Sequence, residues 1–283
     1  MPSPANGASA GIESIRTLAL VGPTAGGKTC LAEALLHRSG TITTPGTLER
    51  GSTVSDFDPL ERRMGHSLNA SVMHLQYGDT RVHFIDTPGG PDFLGQSLPA
   101  LEAVETAAVV INAVTGIEPM AVRMMDYAAS RHLDRLIIVN KIDVPGVDLP
   151  GLLTQIQAAF GKECLPVNLP DAGATKVVDC FFNREGHSDF GSVDSAHRAL
   201  VEQVVEVDAD LVDRYLNDGD VDPGELHAPL EQALREGHLI PVCFVSGRSG
   251  VGVAELLDVI VKLLPNPTEA NPPDFLKGEG AAA

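Results

Sequence analysis

Basic residues are scarce in this sequence. Lysine and arginine together number 20 against 38 aspartates and glutamates, so the formal net charge is −18 and the sequence pI is near 4.7. A chain of this charge has no basic footprint for wrapping nucleic acid. We therefore predict no direct sequence-specific nucleic-acid binding by this chain. Many of the acidic residues lie in residues 202–237, where their pattern predicts helices with solvated faces.

Paired cysteines and long apolar runs are also missing. The four cysteines, Cys30, Cys164, Cys180 and Cys243, form no C-x-x-C pair and lie in or beside apolar runs. This placement is typical of reduced, buried thiols and argues against disulfides and zinc sites. No apolar run reaches membrane-spanning length, and residues 1–11 lack the basic start and apolar block of a signal peptide. We expect a cytoplasmic protein with no membrane partner.

The sequence does contain an alternation of apolar strands and amphipathic helices. Four apolar runs, "TLALV", "AAVVINAV", "RLIIVN" and "LIPVCFV", are each followed by a segment with helical periodicity. Such alternation is typical of an α/β domain with a mostly parallel sheet. Residues 70–77 and 81–85 are predicted to form a hairpin with Gly78 in its turn. These runs together predict a mixed, mostly parallel six-stranded sheet with helices on both faces.

A glycine-rich loop follows the first apolar strand. Residues Gly22 to Thr29 read G-x-x-x-x-G-K-T and directly precede a predicted helix, which is the setting of a phosphate-binding loop. Backbone N–H groups in such a loop turn toward the β-phosphate, Lys28 neutralises phosphate oxygens and the Thr29 hydroxyl ligates Mg²⁺. The nucleotide-binding residues predicted here are Gly22, Ala25, Gly26, Gly27, Lys28, Thr29 and Cys30.

The motif "IDTPG" ends the next predicted parallel strand. Asp86 can hold Mg²⁺ through a water molecule, and the N–H of Gly89 can donate to a γ-phosphate. Alone, D-x-x-G is a weak signal, and its position after the phosphate loop strengthens it.

A third motif, "NKID", ends a further strand and contains Asn140, Lys141 and Asp143. A carboxylate at Asp143 can accept two N–H bonds from the N1 and N2 edge of guanine, which adenine does not offer, while the lysine stem lies across the base. "CFVSG" then provides Ser246 and Gly247, whose backbone N–H groups we expect to face the guanine O6.

With these motifs in order, the chain resembles the G domain of elongation factor G and its translational GTPase paralogues, from about residue 13 to 267. The resemblance implies an α/β fold of the P-loop NTPase G-domain type with a small inserted α+β subdomain similar to the G′ subdomain. It also implies a fragment of a longer protein. The expected organisation is a disordered segment 1–12, a G domain at 13–160 and 240–265, a G′-like insertion at 161–239 and a linker at 266–283 toward further domains.

Residues 41–68, an irregular segment, correspond to switch I in this resemblance. "ERRMGHSL" is similar to the family's E-R-G-I-T and places Ser67 where a threonine meets Mg²⁺. The chain departs from the family at Ala25, where aspartate is usual, at His66, where isoleucine is usual, and at Gly90, where the family has the histidine that orients the attacking water. These departures leave nucleotide binding intact and weaken the hydrolytic machinery.

Catalysis must then depend on Lys28, the backbone at Gly89 and Gly90, Mg²⁺ and the substrate itself, or on a group from elsewhere. His66 is a candidate substitute, although a loop histidine is more often a solvated bystander.

Two functions are open. The first is an Mg²⁺-dependent GTPase that cycles between GTP and GDP, acts on the ribosome and is slow without a partner. The second is a GTP-loaded ribosome-binding switch with negligible hydrolysis. A small-molecule kinase shares the phosphate loop but needs neither of the other motifs and ranks last. We expect a monomer, and the sequence leaves open which step of translation is served.

Overall fold

The computed structural model describes residues 11–55, 57–218 and 226–271. Most of the predicted disordered segment 1–12, and residues 272–283 of the predicted linker, lie outside this range. Among the described residues, no helix is both long and apolar enough to cross a lipid bilayer.

Strands and helices alternate along most of the chain. The strands are β1 Ile15–Val21, β2 Ser71–Tyr77, β3 Thr80–Asp86, β4 Thr106–Asn112, β5 Asp134–Asn140, β6 Cys164–Pro166, β7 Asn168–Pro170, β8 Val177–Asp179 and β9 Ile240–Phe244. The α-helices are α1 Lys28–Arg38, α2 Pro59–Met64, α3 Leu94–Leu101, α4 Pro119–Ser130, α5 Leu149–Phe160, α6 Val193–Val205, α7 Ala209–Asp218, α8 His227–Glu236 and α9 Val253–Lys262.

The main sheet has the strand order β2-β3-β1-β4-β5-β9-β6. All neighbours pair in parallel except β2 and β3, so the predicted α/β fold with a mostly parallel sheet is confirmed. The sheet of the described residues has seven strands rather than the predicted six, because Cys164–Pro166 pairs with β9 at the far edge. A strand of three residues is too short to give a periodic signal in the sequence.

The predicted hairpin forms the antiparallel edge of the sheet. Strands β2 and β3 pair from Ser71 with Asp86 to Tyr77 with Thr80. Alternate residues of β2 are buried and exposed, as expected for a strand with one solvated face. Gly78 in the turn has φ +58°, a left-handed conformation that glycine adopts without a steric penalty.

Helices cover both faces of the sheet. Leu31 and Leu35 of α1 pack with Leu256 and Ile260 of α9 in the apolar core on one face. On the other face the core contains buried residues of α3, α4 and α5. Every residue of β4 is buried, as expected for a central parallel strand covered on both sides.

The stretch between β6 and β9 contains the antiparallel pair β7 and β8 and the helices α6, α7 and α8. Asn168 at the start of β7 links this stretch to the main sheet. Its side-chain amide donates to the Phe244 carbonyl at 3.2 Å and accepts the Phe244 N–H at 2.7 Å. The subdomain boundaries at 161 and 239 stay a prediction, and β6 within them belongs to the main sheet.

Candidate nucleotide site

A cavity of about 560 Å³ opens where the carboxyl ends of β1, β4 and β5 meet. In parallel sheets ligands bind at this edge because the loops that follow adjacent strands converge there. Eleven of the predicted site residues line the cavity: Ala25, Gly27, Lys28, Thr29, Cys30, His66, Ser67, Gly89, Asn140, Lys141 and Asp143. Segments far apart in the sequence therefore share one site.

The glycines of the phosphate loop allow close backbone packing. Gly22 has φ +133°, and a β-carbon there would lie 2.5 Å from the Val110 carbonyl oxygen. Gly27 has φ +89°, and its β-carbon would lie 2.5 Å from Nδ2 of Asn140. Any side chain at either position would displace neighbouring atoms, so the loop conformation requires glycine there. Gly22 and Gly26 shape the loop without lining the cavity.

Lys28 begins α1 and points back into the loop. Its Nζ donates to the carbonyl oxygens of Gly22 at 2.9 Å and Pro23 at 2.8 Å. Burial lowers the pKa of this ammonium group to about 8, against the opposing effect of the nearby Asp86 carboxylate. The arrangement holds a buried positive charge where the β- and γ-phosphates of a nucleotide are expected.

The three residues predicted to meet Mg²⁺ converge. The Thr29 hydroxyl donates to Oδ2 of Asp86 at 2.7 Å, and its oxygen lies 3.3 Å from Oγ of Ser67. Asp86 is 1% exposed. A set of two hydroxyls and one carboxylate provides only oxygen ligands, which Mg²⁺ prefers. The donor set therefore fits the predicted cation.

The turn that follows Asp86 packs against the phosphate loop. The Thr24 N–H donates to the Gly89 carbonyl at 3.1 Å, and a β-carbon on Gly89 would lie 2.5 Å from Nζ of Lys28. Only glycine brings the backbone this close. The next residue, Gly90, does not line the cavity, whereas His66 does, with its ring 6.1 Å from the ring of Phe93.

Asn140 organises the opposite end of the cavity. Its Nδ2 donates to the carbonyl of Gly26 at 3.1 Å, and its Oδ1 accepts the N–H of Lys141 at 2.8 Å and of Gly247 at 3.0 Å. Lys141 Nζ donates to the Ala25 carbonyl at 2.6 Å. Lys141 therefore spans from the end of β5 to the phosphate loop, which places its aliphatic stem along the cavity.

Ser246 and Gly247 use their backbone N–H groups within the protein. The Ser246 N–H donates to the Val251 carbonyl at 2.8 Å, and the Gly247 N–H donates to Asn140. Ser246 is fully buried and holds its own loop. Donation from these two N–H groups to guanine O6 stays a prediction, and it requires the present bonds to be exchanged.

Cys30 lines the cavity as a partly buried thiol. Burial is the largest effect on it and raises the pKa of the thiol. The side chain is therefore neutral and lines the site as a small apolar group.

Comparison with known proteins identifies the family. The family described as Elongation factor Tu GTP binding domain matches residues 13–266. The chain belongs to this GTPase family. It is 33% identical to an elongation factor G-like protein of Mycobacterium tuberculosis over 94% of this chain and 39% of that protein. An elongation factor G-like protein of Thermotoga maritima is 28% identical over 92% of this chain and 39% of its own length.

Other relatives extend the comparison. A mitochondrial ribosome-releasing factor 2 of Culex quinquefasciatus is 27% identical over 92% of this chain and 38% of that protein. A solved structure from Thermus thermophilus superposes with a TM-score of 0.82 at 32% identity, over 91% of this chain and 41% of that one. The chain thus spans about two fifths of the length of the relatives it matches. The predicted resemblance to elongation factor G-like GTPases is confirmed.

Several cavity residues of this GTPase domain are missing from the sequence-based prediction. They are Thr24, Leu48, Glu49, Gly65, Thr87, Asn112, Val114, Val144 and Arg248. Asn112 had a usable signal, since it is a polar residue at the end of a buried strand and pairs in register with Asn140. Leu48 and Glu49 had none, because they lie in the irregular segment 41–68 and only the folded chain brings them to the cavity.

Proposed function

We propose that this domain binds GTP in the cavity and hydrolyses it with Mg²⁺, as part of a longer protein that acts with the ribosome. The observation that supports the proposal is the convergence on one cavity of a buried lysine, an oxygen-rich cation site and the Asn140–Asp143 turn. These are the parts that phosphoryl transfer and guanine recognition need.

Each group has a physical role in this proposal. Lys28 exchanges its bonds to loop carbonyls for bonds to β- and γ-phosphate oxygens. Thr29 and Ser67 would hold the cation through their hydroxyls, and Asp86 would hold it through a water molecule. A bound Mg²⁺ supplies positive charge at the same oxygens. Asp143 reads the guanine edge, and a base that cannot donate two N–H bonds leaves its carboxylate unpaired.

The weakest part of the proposed site is the group that positions the attacking water. Gly90 has no side chain, so in our proposal the Gly89 and Gly90 backbone supplies dipoles at the γ-phosphate, and His66 contributes an imidazole to the cavity lining. Because phosphoryl transfer depends mostly on positioning and electrostatics, we propose that hydrolysis proceeds slowly alone and faster with a partner.

The proposed action with the ribosome is based on the names of the relatives. Their names describe elongation factor G-like and ribosome-releasing proteins. We extend ribosome binding to the longer protein of which this domain forms a part, with the G′-like stretch as one contact. A cytoplasmic location and a monomeric state stay predictions from the sequence.

A second candidate function is a GTP-dependent ribosome-binding switch with negligible hydrolysis. Gly90 favours it, because the family's water-orienting side chain is missing at this position and the Phe93 ring lies beside it.

Phosphate release from GTP by the full-length protein tests both functions, with and without ribosomes and with ATP as the control nucleotide. Ribosome-stimulated release from GTP alone supports the GTPase. Tight GTP binding without release supports the switch. Equal binding of ATP and GTP, or no nucleotide binding, would refute both.

A further inference from the structure

Glu61 has an unusual place in the segment 41–68. It lies in the short helix α2 and is 1% exposed, although glutamate is seldom fully buried. Its Oε1 accepts the backbone N–H groups of Leu68 at 2.8 Å and Asn69 at 2.9 Å. These bonds join the helix to the chain that follows it.

The bonds of Glu61 close a loop around the predicted cation ligand. The Glu61 carbonyl also accepts the N–H of Gly65 at 2.8 Å, where φ of +70° ends the helix and reverses the chain. The side chain then holds Leu68, the residue directly after Ser67. Adjacent Cα atoms are about 3.8 Å apart, so fixing Leu68 restricts where Ser67 can lie.

The closed loop presents its inner residues to the cavity. His66 and Ser67 both line the cavity, and Ser67 Oγ lies 3.3 Å from Oγ1 of Thr29. Hydrogen bonds from backbone N–H groups to a buried carboxylate are charge-assisted and stronger than neutral ones. Glu61 therefore fixes the backbone directly after Ser67 by two bonds of this kind.

We propose that Glu61 is a positioning residue: it sets Ser67 against the cation and so makes nucleotide affinity depend on the third phosphate. The proposal rests on the function proposed above, in which Ser67 meets Mg²⁺ when GTP is bound. Glu61 touches neither nucleotide nor cation in this scheme and acts only through Ser67.

A second buried glutamate provides a matched control. Glu33 of α1 is 2% exposed and accepts the N–H groups of Gly46, at 2.6 Å, and of Val54. It anchors the first half of the same segment in the same way, but neither of the residues it holds adjoins Ser67. Replacement of either glutamate would reduce the order of the segment, whereas only replacement of Glu61 would disturb the placement of the cation.

The test measures the affinities of fluorescent GTP and GDP analogues over a range of Mg²⁺ concentrations. We expect Glu61→Ala to weaken GTP binding about tenfold and leave GDP binding unchanged, the scale of one charge-assisted hydrogen bond. Glu61→Gln keeps the oxygen acceptor but removes its charge, so we expect it to weaken GTP binding by less than Glu61→Ala does. Glu33→Ala should leave the ratio of GTP to GDP affinity at the wild-type value.

A double-mutant cycle with Ser67→Ala makes the test specific. If Glu61 acts through Ser67, the double variant binds GTP no more weakly than Ser67→Ala alone. Additive losses, or an equal change of GTP and GDP affinity in Glu61→Ala, overturn the proposal.

Loss of folding in a variant, and failure of the proposed function, must each be distinguished from failure of the proposed role of Glu61. Circular dichroism checks the fold of each variant. If Glu61→Ala does not fold, Glu61→Asp replaces it in the cycle, because the shorter side chain withdraws the carboxylate by one methylene. Failure of the wild-type protein to bind guanine nucleotides refutes the proposed function itself. Wild-type binding with a normal GTP preference in the Glu61 variants refutes only the role of Glu61.

Discussion

A β-carbon built on Gly90 would lie 3.0 Å from Cδ2 of Phe93. The backbone at Gly90 has φ −78° and ψ 144°, which any residue can adopt. The Phe93 ring, and not the backbone, therefore limits which side chain fits here. A shift of the ring by a few tenths of an ångström makes room for a larger residue.

Gly90→His tests whether the missing imidazole limits turnover. We expect ribosome-stimulated phosphate release from GTP to rise about 100-fold, the lower end of what a positioned acid–base group contributes. Gly90→Ala meets the same Phe93 contact without an imidazole and should give no gain. Equal rates in the two variants would show that another group limits the reaction.

The buried ammonium of Lys28 predicts a pH-dependent affinity. Its pKa is lowered to about 8 by burial, and only the protonated form attracts phosphate. Affinity for GTP should therefore fall as the pH rises above about 8, by about tenfold near pH 9. Titration with a fluorescent GTP analogue measures this, together with proton uptake on binding.

Lys28→Ala should reduce nucleotide affinity by at least about 100-fold, because it removes the one buried cation that contacts the loop carbonyls among the described residues. The remaining weak binding should show no fall above pH 8. A fall of the same size in this variant would assign the titration to another group.

We expect Asp143 to determine the preference of the site for guanine over adenine. Asp143→Asn replaces a double acceptor by a side chain with one acceptor and one donor group, so the guanine edge loses one of its two bonds. We expect the ratio of GTP to ATP affinity to fall by about 100-fold or more. Xanthosine triphosphate, with a carbonyl where guanine has an amino group, should gain affinity. An unchanged GTP-to-ATP ratio would contradict the assignment.

A buried carboxylate far from the cavity predicts how stability varies with pH. Asp134 starts β5, is 2% exposed, and neither carboxylate oxygen has a hydrogen-bond partner among the described residues. Burial raises its pKa from 3.8 to about 7, against the opposing effects of Arg235 and Arg135. The contribution of this group to the free energy of unfolding is therefore fully present below the pKa of the unfolded chain, 3.8, where the carboxyl group is neutral in both states. It is lost as the pH rises through the folded-state pKa of about 7.

Asp134→Asn keeps the site neutral at every pH. We expect it to raise the free energy of unfolding by roughly 2–4 kcal/mol near pH 8. We also expect the free energy of unfolding to vary less with pH between about pH 4 and pH 7. Urea denaturation at several pH values measures both effects. Asp126→Asn, which changes an exposed carboxylate on α4, is the matched control and should alter neither.

The motifs and the fold class were predictable because they depend on local sequence. A glycine-rich turn between a strand and a helix determines its own conformation, and the hairpin around Gly78 follows from alternating residues and a short turn. Their convergence was also predictable in outline, since parallel strands place their carboxyl ends at one edge. Strand β6 was not, because three residues give no periodic signal.

By itself the sequence determined the order of the elements, the phosphate loop and the residue types at the strand ends, all of which arise from interactions between near neighbours. Tertiary structure alone decided that Asn140 bonds to Gly26, that Leu48 and Arg248 line the cavity, and that Glu61 holds the chain beside Ser67. These contacts join distant segments or a buried side chain to a loop without periodicity. Their geometry exists only once the sheet has brought the loops together, so no local pattern encodes them.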